Sequence, residues 1–110
     1  MSRTTADNVT EYDPEEVRDL LEQGKILLVD VREPMEYAAE RIPGALLFPL
    51  SSFDPLALPK PDACTIIFQC GSGKRSAMAT QRAIQRGIGH VTHMIGGIQA
   101  WKAAGLPTIS

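Results

Sequence analysis

The sequence predicts an α/β domain: a mostly parallel sheet of about five short strands, with helices on both faces. Three observations carry this. Short apolar runs rich in β-branched residues alternate with helix-forming stretches along the chain. Two of those runs, Ile26–Val31 and Thr65–Gln69, are apolar without alternation, as in strands covered on both faces. Finally, 110 residues suffice for one core and not for two. The domain is read as residues 9–110, behind a polar, frayed N-terminus of residues 1–8.

Val9-Thr10 opens a short strand. Asp13-Pro14-Glu15-Glu16 is a helix start, with Asp as N-cap, Pro in the first turn and Glu three residues after the cap. Val17, Leu20 and Leu21 form its apolar face, and Gly24 ends it. The strand Ile26–Val31 follows. Asp30 and Arg32 stand at its end, where charges are costly unless paired or reached by solvent. A structural ion pair or a helix cap would explain them as well as a site would. Glu33–Tyr37 reads as a short helix with Pro34 at its start. Arg41–Ala45 is a turn and Ala45–Phe48 a short strand. Ser51–Pro61 holds three prolines, too many for a long regular element, so it is a connection or a set of short helical turns. Thr65–Gln69 is a central strand, Ser76 begins a helix and Gly87 ends it. His90–Met94 is a strand, Gly96-Gly97 a turn, and Ile98–Ala104 a helix closed by Gly105 and Pro107.

Bulk properties narrow the function. No apolar run approaches the ~18 residues of a membrane span, and the first residues carry no apolar signal region. The expected location is the cytoplasm, with no membrane partner. A net charge of −2 implies no nucleic-acid partner. Of the two cysteines, Cys64 and Cys70 lie about 20 Å apart if the chain between them is extended, at ~3.3 Å per residue. A disulfide needs Cα atoms within about 7 Å, so two free thiols are expected. Cys64 lacks the glycines and cations around Cys70 and reads as packing. No acidic residue occurs after Asp62, whereas Lys74, Arg75, Arg82, Arg86 and Lys102 do. Either this half draws anions toward Cys70, or the acidic half folds beside it and neutralises the field. His90 and His93, three apart in a strand, face opposite sides and make a poor metal pair.

The chemistry concentrates in Thr65–Gly87, TIIFQCGSGKRSAMATQRAIQRG. In an α/β sheet, ligands bind outside the carboxyl ends of the strands. Cys70 stands at such an end, and so do Asp30 and Arg32. Gly71 and Gly73 let the backbone curl, which turns successive N–H groups inward as an anion nest. The first helical turn adds unsatisfied N–H groups and partial positive charge. Lys74 and Arg75 add two full charges. A cysteine so placed favours its thiolate, and the loop suits an anionic substrate. A lone cysteine at a strand end is ordinarily a small buried hydrophobe. Gly71, Ser72, Gly73, Lys74, Arg75 and Ser76 immediately after Cys70 argue against that.

CGSGKRS resembles the active-site loop of the rhodanese (sulfurtransferase) family, Cys-x-x-Gly-x-Arg-Ser. LVDVREPMEYAAERIPGALLFPL resembles its upstream signature, Asp-x-Arg-x-x-x-Glu-(Tyr/Phe) followed by His-Ile-Pro-Gly-Ala. GGIQAWKAAGLP resembles its C-terminal Gly-Gly-x-x-Ala-Trp-x-x-x-Gly-x-Pro. The resemblance implies a three-layer rhodanese-like fold and a persulfide on Cys70. It makes Gly71 to Ser76 the substrate-binding cradle, Asp30 and Arg32 supporting residues, and Gly96, Gly97 and Trp101 structural. It implies no metal and no organic cofactor. Two residues depart from the pattern: Arg41 replaces the usual His, and Gly71 replaces a common Arg.

The resulting expectation is a sulfurtransferase, monomeric or weakly dimeric. Cys70 would take sulfur from a small anionic donor such as thiosulfate and pass it to cyanide, a thiol or a partner protein. Lys74 and Arg75 would hold the donor's charge, unless Arg75 instead closes the loop against the sheet. Two alternatives stand beside it. One is a non-catalytic, regulatory interaction module, although such modules often lack the cysteine. The other is a cysteine phosphatase or arsenate reductase, whose Arg follows Cys after five residues, where here four intervene.

Overall fold

A computed structural model describes residues 3–4, 10–59 and 65–110. Val9, most of the 1–8 terminus and Cys64 lie outside the described residues. The main sheet is four-stranded and parallel, in the order β4-β3-β5-β6. Its strands are β3 (Ile26–Asp30), β4 (Leu46–Leu47), β5 (Thr65–Gln69) and β6 (Val91–His93). The two central strands β3 and β5 are those without polar alternation, as double-sided burial requires. A separate antiparallel pair joins β1 (Arg3–Thr4) to β2 (Thr10–Glu11). Arg3–Thr4 thus pair within the stretch read as a frayed terminus. A bridge between Tyr12 and Met94 ties β2 to the edge of β6.

Helices cover both faces. On one face Val17 of α1 (Pro14–Glu22) and Ile98 and Trp101 of α4 (Gly97–Ala103) pack against Leu28 and Ile67. On the other, Ala79 and Ala83 of α3 (Lys74–Gln85) pack against Val29, Phe68, Cys70 and Val91. This is the expected three-layer arrangement. Side chains alternate between faces along a strand, so Phe68 and Cys70 both point to the α3 side.

The start of α1 forms as its sequence specifies. Asp13 Oδ1 accepts the Glu16 N–H at 2.9 Å, and Glu16 Oε1 accepts the Asp13 N–H at 3.0 Å. The short helix α2 (Pro34–Ala39) repeats the logic, with the Glu33 N–H donating to Glu36 at 3.0 Å. The proline-rich connection is two single 3₁₀ turns, Leu50–Ser52 and Pro55–Ala57. Several boundaries differ from expectation: β3 ends at Asp30 rather than Val31, β4 is Leu46–Leu47 rather than Ala45–Phe48, and α2 runs Pro34–Ala39 rather than Glu33–Tyr37. α3 begins at Lys74 rather than Ser76, because Gly73 supplies the left-handed cap (φ 104°) and releases the helix one turn after Cys70. α4 begins at Gly97 rather than Ile98, with Gly96 as its cap. His90 lies outside β6, exposed and with φ 58°, so only His93 is a strand residue.

Candidate active site

Cys70 follows β5 directly, at the carboxyl end of the sheet, and is fully buried. Its thiol is free. The loop 71–73 curls back so that the Gly73 N–H donates to Cys70 Sγ at 3.1 Å. The Ser76 hydroxyl lies 3.6 Å from Sγ. Burial acts most strongly on this thiol and pushes its pKa up. The Ser76 hydroxyl and the backbone N–H groups of Ser76, Gly73 and Ser72 outweigh it together, so the thiol is more acidic than an ordinary cysteine. The N–H groups of Ser72, Gly73 and Ser76 and the Ser76 hydroxyl thus converge on Sγ. The leading contributions to thiolate stability are its hydrogen bonds.

The Gly96-Gly97 pair locks this loop from the other side. Ile98 N–H donates to the Cys70 carbonyl at 2.7 Å and Gln99 N–H to the Gly71 carbonyl at 3.1 Å. Such contact needs two bare backbones. A Cβ on Gly97 (φ 60°) would lie 2.2 Å from the Cys70 carbonyl oxygen and 2.7 Å from that of Gly71. Gly97→Ala should therefore cost about 1–2 kcal/mol for the left-handed backbone alone and push the Cys70 loop away from α4. A displacement of ~1 Å at a reacting group costs about 100-fold in rate. Activity should fall by about that factor, with a melting shift too small to account for it.

The upstream signature supplies Asp30, Arg32, Glu36 and Glu40 to ion pairs. Asp30 and Arg32 form a buried, multiply bonded pair: Arg32 Nη2 meets Asp30 Oδ2 at 2.8 Å, and Nε meets Oδ1 and Oδ2 at 3.0 and 3.1 Å. Arg32 Nη2 also donates to the Glu40 carbonyl at 2.6 Å. The pair anchors the chain where it leaves β3.

Arg75 faces a carboxylate of the chain itself. Both terminal nitrogens of its fork hold Glu36 of α2, at 2.7 and 3.0 Å. Its guanidinium thereby ties α2 to the loop that follows Cys70. Gly71 makes room for this: a Cβ there would stand 3.2 Å from Arg75 Nη2. Lys74 is exposed. Arg41, in place of the family's usual His, stacks on the Tyr37 ring at 5.2 Å.

The Glu36–Arg75 pair gives a pH prediction. The hydrogen bonds from Arg75 hold the Glu36 carboxyl down from 4.5 to about 2. A depressed folded pKa contributes stability above the unfolded value, and that stability is lost as pH falls toward the folded one. Relative to Glu36→Gln, wild type should gain about 0.5–1 kcal/mol at neutral pH, the size expected of a half-exposed pair. The difference should vanish as pH falls from about 4.5 to about 2. Urea unfolding of both proteins across that range checks it.

Two residues beyond the expected set reach the site. Ser76 Oγ lies 3.0 Å from His93 Nδ1, and His93 Nε2 lies 2.6 Å from Glu11 Oε2. His93 is 7% exposed and its contact with Ser76 is buried, while its contact with Glu11 is part-buried. Its signal in the sequence was a histidine at the end of a strand. Only the pairing of Phe68 with His93 across β5 and β6 puts it on the face of Cys70. The acidic half does fold beside the basic one at these points, with Glu36 on Arg75, Glu40 on Lys102 and Glu11 on His93.

Residues 13–104 match the rhodanese-like domain. The chain belongs to the rhodanese family. The rhodanese domain is 36% identical over 103 residues to a sulfurtransferase of Allochromatium vinosum, covering 93% of this chain and 96% of that protein. It is 40% identical over 109 residues to an uncharacterized protein of Synechocystis, covering 99% of this chain but 60% of that protein. The rhodanese domain thus spans three fifths of that relative's length. A rhodanese-related protein of Thermoplasma volcanium has the same fold, at a TM-score of 0.79 and 25% identity, over 90% of this chain and 96% of that one. Among the described residues, no helix is long and apolar enough to cross a membrane.

Proposed function

We propose that this protein is a sulfurtransferase that carries sulfur as a persulfide on Cys70. The observation that carries the reading is the cradle itself. A buried thiol whose acidity comes from inward N–H groups and a hydroxyl is built to hold a compact sulfur anion. The Cys70 thiolate attacks the outer sulfur of a small anionic donor such as thiosulfate. A Cys70–S bond forms, the donor's S–S bond breaks, and sulfite leaves with the electron pair. Cyanide, a thiol or a partner protein then attacks the outer sulfur, and Cys70 departs as thiolate. The N–H groups of Ser72, Gly73 and Ser76 stabilise the anion at each stage. With Arg75 held by Glu36, the loop N–H groups and Lys74 meet the donor's charge.

The relative named a sulfurtransferase, which matches nearly end to end, supports the same reading. The phosphatase alternative has less support. Four residues separate Cys70 from Arg75, and that arginine already holds a carboxylate. Intact mass after incubation with thiosulfate is the test. A gain of one sulfur atom is expected. No gain, with turnover of a phosphate ester, would replace this reading with the phosphatase one. No gain and no turnover of either would leave a binding module.

A further inference from the structure

Contacts run in one line from the buried thiol to a part-exposed carboxylate: Cys70 Sγ to Ser76 Oγ at 3.6 Å, Ser76 Oγ to His93 Nδ1 at 3.0 Å, and His93 Nε2 to Glu11 Oε2 at 2.6 Å. We propose that Ser76, His93 and Glu11 form a proton relay that takes the Cys70 proton as the thiolate forms and returns it when the thiolate is released. The proposal rests on the sulfurtransferase reading for its purpose, but not for its test.

The chemistry of the partners assigns the protons. A carboxylate accepts, so His93 Nε2–H donates to Glu11; while the ring is neutral, Nδ1 is then an acceptor. The Ser76 hydroxyl has one proton to give. With neutral His93, that proton points to Nδ1, and the Ser76 oxygen accepts from the Cys70 thiol. When the Cys70 proton moves to Ser76 and the Ser76 proton to Nδ1, His93 becomes a cation beside Glu11. The hydroxyl proton now lies on the Cys70 side, able to donate to the thiolate or to the Gly73 carbonyl at 3.1 Å. No proton is created or lost, and the negative charge on sulfur is matched by the positive charge on the ring. A base oriented by a third group is the usual device for activating a nucleophile. Here the base acts through a hydroxyl, so His93 and Glu11 are positioning residues. In the second half-reaction the same proton returns to Cys70 as its sulfur is released.

Among the described residues, little else competes for His93. β2 presents Glu11, with Arg3 of β1 opposite Glu11 in the ladder. α3 presents Ser76, while its Lys74 and Arg82 are exposed and its Arg75 is held by Glu36. The end of β5 presents Cys70. Tyr12 meets His93 through its backbone N–H, and its ring packs in the core on the opposite face of the sheet. His90 is exposed.

The test reads the thiolate itself, by ultraviolet absorbance against pH, in a Cys64→Ser background with no sulfur substrate present. The unmutated site should titrate below the ~8.5 of a free cysteine. His93→Asn keeps a hydrogen-bonding group toward Ser76 but cannot take a proton. Its thiolate step should move up by about one pH unit, a tenfold loss of thiolate at fixed pH below the step. Glu11→Gln should move it the same way by less. In a Ser76→Ala background, His93→Asn should add no further shift. An unmoved step in folded His93→Asn overturns the relay, and a full additional shift in the Ser76→Ala background overturns the hydroxyl's part in it. If His93→Asn does not fold, the Glu11→Gln step decides in the same way. Thiosulfate loading of wild type is measured separately. Loading with an unmoved step sinks the relay alone, whereas a moved step without loading sinks the sulfurtransferase reading alone.

Discussion

Cys70→Ser will take up no sulfur from thiosulfate, and its turnover with thiosulfate and cyanide will fall to background. The cradle survives this change. Gly73 N–H and the Ser76 hydroxyl still converge on the same point, and the loop is still held by Ile98 and Gln99 through backbone bonds. What disappears is the proposed nucleophile. A serine hydroxyl remains protonated at neutral pH and forms no persulfide, whereas a thiolate is both accessible in charge and intrinsically nucleophilic. Melting should stay close to wild type, because a hydroxyl replaces a thiol of similar shape in a place already lined with hydrogen-bond partners. Cys64→Ser should retain most activity. Intact mass after thiosulfate, on both variants and wild type, gives the answer in one experiment. A folded Cys64 variant that loads nothing, beside a Cys70 variant that loads fully, would move the site to the other cysteine.

The parts of this molecule that were legible in the sequence are those set by local rules. The Asp13 capping box, the uniformly apolar strands β3 and β5, and the glycine loop after Cys70 each follow from residues within a few positions of one another. The cradle was readable for the same reason, since its donors come from the six residues after the cysteine. What escaped depends on residues far apart in sequence. Arg75 and Glu36 are separated by 39 positions, and nothing local says that the guanidinium will spend both nitrogens on a carboxylate of α2. His93 and Glu11 are 82 apart. Read alone, His93 could be weighed only against its neighbour His90 as a metal ligand. The order β5-β6, with β2 bridged to β6 beyond, makes it the link between Ser76 and an acid from the start of the chain. Gly97 shows the intermediate case. Its place in a turn was plain, but its contact with the Cys70 carbonyl belongs to the packing of α4 on the loop.

Asp30→Ala should be the most destabilising of the substitutions considered. Asp30 is fully buried and Arg32 is 5% exposed. One carboxylate there meets Nε and Nη2 of the guanidinium and also accepts the Arg32 backbone N–H at 3.0 Å. Removing it leaves a buried cation with the Glu40 carbonyl as its remaining hydrogen-bond acceptor among the described residues, together with an orphaned backbone donor. Breaking a buried pair from one side costs about 3–5 kcal/mol, because the surviving charge has lost its compensation. At ~4–8 °C per kcal/mol for a domain of about this size, the midpoint should fall by more than about 10 °C. Asp30→Asn, which keeps the shape and part of the bonding, should cost less. Replacing both partners together with apolar residues of similar volume should recover much of the loss, since it removes the unpaired charge as well as the pair. The effect on chemistry separates support from participation. Asp30 reaches the site through the sheet: it pairs in register with Gln69, and the Val31 N–H donates to the Gln69 carbonyl at 2.9 Å, one residue before Cys70. A supporting role therefore predicts that the folded fraction of Asp30→Ala, held well below its lowered midpoint, still loads sulfur on Cys70. Lost loading in a variant that melts like wild type would instead give the Asp30 carboxylate a direct part in the reaction.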